Sequence, residues 1–273
     1  MVPITLQCEN MRRLCYMPIF AAFLSTVCIR IPAIGQVILP PKQVVRPADL
    51  REVRVDDGFW SPKLRVWAGT TVYDVFDKLE GKYEPDRGDI IDEKAKLGRT
   101  RDAFLNFDRV ARGEKKTGLH DGPPWYDGLV YETIRGAADL LAVHPDAGLE
   151  ARIDGYVVRI AAAQNADPDG YLNTWTTLME PDRRWGRNGG DDKWQHDVYN
   201  SGMLIEAGVH YYNSTGKTAL LRVGVRQANY ICLQIGPAPK YNVIPGHGGP
   251  EEAMLKLYQL MAAHPELKGG RYQ

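Results

Sequence analysis

The stretch from residue 164 to residue 217 is the most informative part of the sequence about the fold. It reads Gln-Asn-Ala-Asp-Pro-Asp-Gly-Tyr-Leu-Asn-Thr at 164–174, Trp-Gln-His-Asp-Val-Tyr-Asn-Ser-Gly-Met-Leu-Ile-Glu-Ala-Gly-Val-His-Tyr-Tyr at 194–212, and Thr-Gly-Lys at 215–217. An amphipathic helix ends at a turn signal, a long loop follows, and a second helix begins just after His196. Loops between rigid helices are where binding and catalytic groups usually lie.

Helical periodicity continues on both sides of this stretch. Strand signals are few, and the best is Glu52–Val55. Apolar residues at helical spacing predict six helices. They run from Ser61 (N-cap) to Gly81, over about 128–143, from Asp146 (cap) to Gln164, from Asp197 to Thr215, from Gly216 to Gly236, and from Pro250 to Met261. The sequence therefore predicts an all-α protein.

The connections between these helices alternate in length. Tight turns near Pro145 and Gly216 contrast with long connections at 81–127, 165–196 and 236–249. In an up-and-down array, alternate connections lie at the same end of the helices. We therefore expect the three long loops to crowd one end, which would carry a site.

The residues in these loops suit a carbohydrate ligand. Indole rings stack on sugar C–H faces, and hydroxyl groups need convergent polar partners. With 34 basic and 34 acidic residues, the chain shows no footprint for nucleic acid. The loops bring Trp125, Trp175, Trp185, Trp194, His120, Asp127, Glu180, Asp191, Asp192, His196 and His247. Some of the tryptophans could instead pin the loops to the helix ends.

Some of these loop residues could have a structural role instead of a functional one. By spacing alone, a structural role for His196 is favoured over a functional one, and Asp127 could be a helix cap or a sugar ligand. Proline and three glycines surround His247, which favours function there. Glycoside hydrolysis usually needs two carboxyl groups, and the candidates are Asp127, Glu180, Asp191, Asp197, Glu251 and Glu252. No metal-binding motif is present. The predicted sugar-binding set is His196, His247, Asp127, Trp125, Tyr199 and Trp194.

The first 35 residues have the pattern of a secretory signal peptide. Arg12 and Arg13 precede an apolar run, and cleavage is expected after Ala33 or Gly35. We expect a secreted or periplasmic protein without a stable membrane anchor, in which 36–56 form an N-terminal extension and 57–273 the domain. Cys232 is then the one cysteine left, and we expect a buried thiol without an internal disulfide.

Motifs in a specific order resemble one known family. They are Asp57-Gly58-Phe59-Trp60-Ser61-Pro62-Lys63-Leu64, Asn106-Phe107, Trp125-Tyr126-Asp127, Ile160-Ala161-Ala162-Ala163-Gln164, Asp169-Gly170-Tyr171-Leu172-Asn173-Thr174, His196-Asp197-Val198-Tyr199, Leu204-Ile205-Glu206-Ala207-Gly208-Val209, Thr215-Gly216-Lys217 and Pro245-Gly246-His247. Over nearly all of 57–273 the chain resembles the catalytic domain of glycoside hydrolase family 127, the beta-L-arabinofuranosidase-like proteins. Met203 and Leu129 depart from that pattern, where the family commonly has a histidine and an aspartate.

The resemblance implies an (α/α)6 barrel, of which this chain has about the first six helices. It also implies sugar contacts for His196 and His247. The family's cysteine nucleophile, acid/base glutamate and zinc ligands are expected beyond Gln273, so no catalytic residue and no metal ligand is assigned within this chain. We expect the chain alone to be inactive and to self-associate through an exposed barrel edge. Another (α/α)6 enzyme, a lyase or unsaturated-uronyl hydrolase, and a non-catalytic carbohydrate-binding remnant are the alternatives.

Overall fold

The computed structural model describes residues 48–82, 102–186, 196–243 and 245–269, and the predicted signal peptide lies outside these ranges. Their regular elements are helical, which confirms the all-α prediction. The helices are α1 (Trp60–Val66), α2 (Val72–Leu79), α3 (Ala103–Ala111), α4 (Tyr126–Val143), α5 (Ala147–Asn165), α6 (Thr174–Met179), α7 (Asp197–Thr215), α8 (Ala219–Gln234) and α9 (Gly249–Ala263). A π-helical turn, Trp67–Thr71, joins α1 to α2.

Several local predictions were wrong. Leu50–Glu52 form a 3-10 turn, Val53 is extended, and residues 53–55 form no strand with any described residue. Ser61 is not the N-cap of α1, because the carboxylate of Asp57 accepts the free N–H groups of Phe59 and Trp60. Helices α3 and α6 both lie in connections that were expected to be loops.

The predicted caps of two long helices are confirmed. The Asp146 carboxylate accepts the N–H groups of Gly148 and Leu149 at the start of α5, with N···O distances of 2.9 and 3.0 Å. Helix α7 ends at Gly216, whose φ of 74° is a left-handed conformation that favours glycine. These two signals are local in sequence, so they could be read without the fold.

Helix α7 is the centre of the packing and lies against α4, α8 and α9. Small residues allow this. A Cβ on Gly208 would lie 3.0 Å from the Leu220 carbonyl oxygen of α8, and one on Gly202 would lie 2.9 Å from the Cα of Pro250 on α9. Backbones in such contact leave no room for adjustment, so α7 sets where α8 and α9 lie.

The expected asymmetry between the two ends of the helices is confirmed by contacts between the long connections. Thr174 of the 165–196 connection hydrogen-bonds to Asp127 at the start of α4. His196, at the end of that connection, lies against His247 of the connection between α8 and α9. The turns at 144–146 and 216–218 lie at the opposite end, since α5 and α8 each return antiparallel to the helix before them.

An apolar groove of about 810 Å³ lies along the second half of α4, away from that end. Leu50, Val53 and Val55 form one wall, and α1, α2 and α4 form the rest. Nearby, Phe59 and Trp60 are about half exposed. In the described ranges, no helix combines the length and apolar character needed to cross a membrane.

Cys232 departs from its prediction. It lies half-buried on α8 and is disulfide-bonded, so the expectation of an unpaired thiol was wrong. Its partner lies outside the described residues.

Candidate functional site

Three rings from the long connections and one from the first turn of α7 form a cluster at the long-loop end. Trp125 and His196 have ring centroids 5.1 Å apart, and His196 lies 5.5 Å from His247. Tyr199 contacts both histidines, with centroids 5.9 Å from His196 and 5.0 Å from His247. We call Trp125, His196, Tyr199 and His247 the ring cluster. It unites four residues of the predicted sugar-binding set.

The backbone of His196 is in an unusual conformation. It precedes the first residue of α7 with φ 55° and ψ 24°, in the left-handed region. For a residue with a side chain, this conformation costs about 1–3 kcal/mol and persists only where the surroundings hold it. Its carbonyl oxygen accepts the N–H of Asn200, 2.8 Å away, which closes the first turn of α7.

Asn200 joins the starts of α4 and α7 directly. Its side-chain amide donates to the carbonyl of Pro124, and its amide oxygen accepts the N–H of Gly128, with distances of 2.9 and 3.1 Å. A Cβ on Gly128 would lie 2.5 Å from the ring of Tyr199 and 2.7 Å from the amide oxygen of Asn200. Glycine is therefore required where α4 meets the ring cluster. Sequence reading had missed both Asn200 and Gly128.

Tyr199 adds a polar contact to the cluster. Its hydroxyl donates to Glu132 of α4 at 3.0 Å. Burial, and then the negative charge of Glu132, raise the pKa of Tyr199 above its usual value. The phenol is therefore a neutral donor across the physiological range. Glu132, which sequence reading also missed, is a half-buried carboxylate beside rings that suit a sugar face.

His247 reaches the cluster from an exposed turn. It lies between Gly246 and Gly248, the latter being the N-cap of α9. The close approach of Gly202 to Pro250 fixes the start of α9 on α7, three residues after Tyr199. The imidazole of His247 is thus presented to solvent beside the half-buried His196.

Asp127 does not present its carboxylate to this cluster. It is 2% exposed, and both of its oxygens accept hydrogen bonds from Thr174, one from the N–H at 2.7 Å and one from the hydroxyl at 2.6 Å. Burial raises the pKa of Asp127 to about 6. Of the two predicted roles, helix capping fits these contacts. Asp127 accepts the first N–H of α6, however, and not an N–H of its own helix α4.

His120 extends this buried network. It is fully buried, with Nδ1 3.0 Å from the Gly122 carbonyl and Nε2 2.9 Å from the Thr174 hydroxyl. Burial lowers the pKa of His120 to about 3, so the ring is neutral near pH 7. A carbonyl only accepts, so the proton of the neutral His120 ring lies on Nδ1.

Asp197 is likewise buried rather than a cap of its own helix. At 3% exposed, it accepts hydrogen bonds from the Thr176 hydroxyl at 2.5 Å and from the N–H of Trp185. Burial raises the pKa of Asp197 to about 7. Asp197 does not cap α7, because its carboxylate is held by α6 and by the 184–186 turn.

The remaining loop residues divide clearly. Trp175 and Trp185 are each 4% exposed, so they pin the connection to the core as the simpler reading proposed. Glu180 pairs with Arg183, and Glu251 and Glu252 are exposed on the first turn of α9. The calls that lie outside the described residues are Trp194, Asp191 and Asp192.

The chemistry available at the ring cluster is binding chemistry. Imidazole and phenol groups can exchange hydrogen bonds with hydroxyls, and the indole of Trp125 offers a stacking face. In the described ranges no group of three His, Cys, Asp or Glu side chains converges to hold a metal ion.

Comparison with known proteins agrees with this picture. A family model described as the beta-L-arabinofuranosidase GH127 catalytic domain matches residues 52–264. A non-reducing end beta-L-arabinofuranosidase of Bifidobacterium longum subsp. longum is 35% identical over 154 residues, which are 55% of this chain and 23% of that protein.

Solved structures give the same family. The GH127 beta-L-arabinofuranosidase Ara127N of Geobacillus stearothermophilus T6 superposes with a TM-score of 0.63 at 29% identity, over 79% of this chain and 31% of that one. A second GH127 beta-arabinofuranosidase has a TM-score of 0.63 at 31% identity, over 81% of this chain and 32% of that one. The chain thus spans about a third or less of the length of these relatives.

Proposed function

Because this chain belongs to the beta-L-arabinofuranosidase GH127 catalytic-domain family, we propose that it supplies the sugar-binding wall of a glycoside hydrolase that removes terminal beta-L-arabinofuranosyl residues. The observation that carries the proposal is the ring cluster, where His196 and His247 lie 5.5 Å apart between Trp125 and Tyr199. Such a group offers stacking faces and hydrogen-bonding nitrogens side by side, which a sugar ring needs.

The roles of the rings follow from their positions. Trp125 supplies an apolar face for sugar C–H groups, while the imidazoles of His196 and His247 exchange hydrogen bonds with hydroxyls. Tyr199 contacts both histidines, and its hydroxyl donates a hydrogen bond to Glu132. The absence of excess charge, with 34 basic and 34 acidic residues, suits a neutral sugar better than a uronate.

The test is to titrate the full chain with L-arabinose and to measure binding by calorimetry and by tryptophan fluorescence. His247→Ala should weaken binding by about tenfold, as the loss of one good hydrogen bond implies, without changing thermal stability, because His247 is exposed. The matched control is His264→Ala, at the other end of α9, which should bind as the wild type does. Equal affinity of all three proteins would reject the proposed site.

We also propose that the protein is exported. Support comes from the arginine pair, the apolar run and the small residues near Gly35 at the start of the sequence. Expression of the full chain in a bacterial host, followed by N-terminal sequencing of the extracytoplasmic fraction, should find a chain starting at Ile34 or Gln36. An intact N-terminus retained in the cytoplasm would overturn this proposal.

A further inference from the structure

The short helix α6 lies between the starts of α4 and α7. Five of its six residues are buried, namely Thr174, Trp175, Thr176, Thr177 and Leu178. Threonine is a poor helix former, and the side chain of Asn173 caps this helix by accepting the N–H of Thr176 at 3.0 Å. A buried six-residue helix of such composition is maintained by its tertiary contacts rather than by its propensity.

Two of those contacts are alike. The Thr174 hydroxyl lies 2.6 Å from Asp127, the second residue of α4. The Thr176 hydroxyl lies 2.5 Å from Asp197, the first residue of α7. Each buried carboxylate therefore meets a threonine of the same helix. Hydrogen bonds to buried carboxylates are strong and directional, so they fix the geometry of the groups that they join.

Each aspartate also lies next to a ring of the cluster. Asp127 follows Trp125 by two residues, and Asp197 directly follows His196. Asp197 in addition accepts the N–H of Trp185, whose own φ of 68° is left-handed. The strained backbone of His196 thus lies beside a carboxylate that two other segments hold in place.

We propose that Thr174 and Thr176 are positioning residues of the ring cluster: through Asp127 and Asp197, α6 holds Trp125 and His196 in their tilted contact. The threonines act on the helix starts that carry the rings, and Asn200 forms a second tie between the same two helices. The use of this device in sugar binding rests on the proposed function, whereas the positioning itself does not.

The first test needs no sugar. Because the ring centroids lie 5.1 Å apart, the indole of Trp125 shifts the NMR resonances of the His196 ring protons. These resonances are assigned by their loss from the spectrum of His196→Asn. Thr176→Val keeps the shape of the side chain and removes the hydroxyl, and it should abolish this shift. Thr176→Ser should retain it. The matched control is Thr177→Val on the same helix, whose side chain contacts neither aspartate and which should also retain the shift.

A wild-type shift in Thr176→Val would overturn the proposal. Should that variant not fold, Thr174→Val tests the same claim at the Asp127 contact, read by the same resonances and with the same two outcomes. If neither valine variant folds while Thr177→Val does, the two threonines are core residues only, and the proposal is likewise overturned.

The second test uses L-arabinose as the probe and separates this proposal from the proposed function. Thr176→Val should weaken L-arabinose binding by about tenfold, and Thr176→Ser should restore it. If the wild-type chain binds no L-arabinose while the His196 shift responds as described, the proposed function fails and the positioning claim stands. If L-arabinose binds equally to wild type and Thr176→Val, the positioning claim fails for this site.

Discussion

The indole of Trp125 and the imidazole of His196 lie with ring centroids 5.1 Å apart at an interplanar angle of 55°. This contact joins the residue before α4 to the residue before α7. Each ring is therefore carried by the start of a long, well-packed helix, which positions it more precisely than a mobile loop would.

Replacing Gly128 should disturb the ring cluster. In Gly128→Ala the new Cβ would lie 2.5 Å from the ring of Tyr199, so Tyr199 and Asn200 must move. We expect a lower melting temperature and weaker L-arabinose binding, measured by calorimetry. Gly136→Ala on the same helix is the control, because its Cβ meets nothing within 4 Å. It should stabilise the protein by about 0.5–1 kcal/mol. Equal behaviour of the two variants would contradict the packing described.

Replacing Gly202 should separate α7 from α9. Its Cβ would lie 2.9 Å from the Cα of Pro250, a backbone atom that cannot rotate away. Gly202→Ala should therefore destabilise the protein by about 1–3 kcal/mol, as overpacking does, and move His247 away from His196. Denaturant unfolding checks the first effect against Gly155→Ala, an exposed control on α5 with open space around its Cβ. Unchanged stability in Gly202→Ala would show that α9 is not fixed here.

Asp127 should make stability depend on pH. Burial raises its pKa from 3.8 to about 6 in the folded protein, so the folded state binds a proton more tightly than the unfolded state. Its contribution is therefore fully present below about pH 4 and is lost as pH rises through 6. Asp127→Asn keeps an acceptor for the Thr174 N–H, and its NH₂ can donate to the Thr174 hydroxyl, whose proton then goes to His120.

The measurement is the free energy of unfolding of wild type and Asp127→Asn at pH 5 and pH 8. The free energy of unfolding of Asp127→Asn should rise relative to that of the wild type between pH 5 and pH 8. His120 is neutral in the folded protein over this range, with its pKa lowered to about 3, and in the unfolded chain it titrates equally in both proteins. A difference that does not change with pH would show that Asp127 is not a buried acid.

Sequence patterns predicted the long helices and the end at which the ring cluster lies. The α5 stripe of Leu149, Ile153 and Ile160 is buried, as its spacing indicated. The lengths of the connections were enough to predict that His196 and His247 lie at the same end of the helices. Helix α3 was missed although it was readable, since Asp102 accepts the N–H groups of Phe104 and Leu105 as a helix cap.

Other features could not be read from the sequence. Helix α6 has weak propensity, and its partners Asp127 and Asp197 are distant in the chain, so neither its existence nor the burial of those acids has a local signal. An aspartate at a helix start ordinarily caps that helix. Here both acids instead accept hydrogen bonds from threonines of α6, which only the fold brings near.

The central claim is that the ring cluster binds the sugar, and a crystal of the full chain soaked in L-arabinose tests it most directly. The account predicts electron density for one sugar ring against the indole of Trp125, with hydroxyls within hydrogen-bonding distance of His196 and His247. Sugar density in the apolar groove beside Leu50 and Val53, with none at the ring cluster, would contradict it.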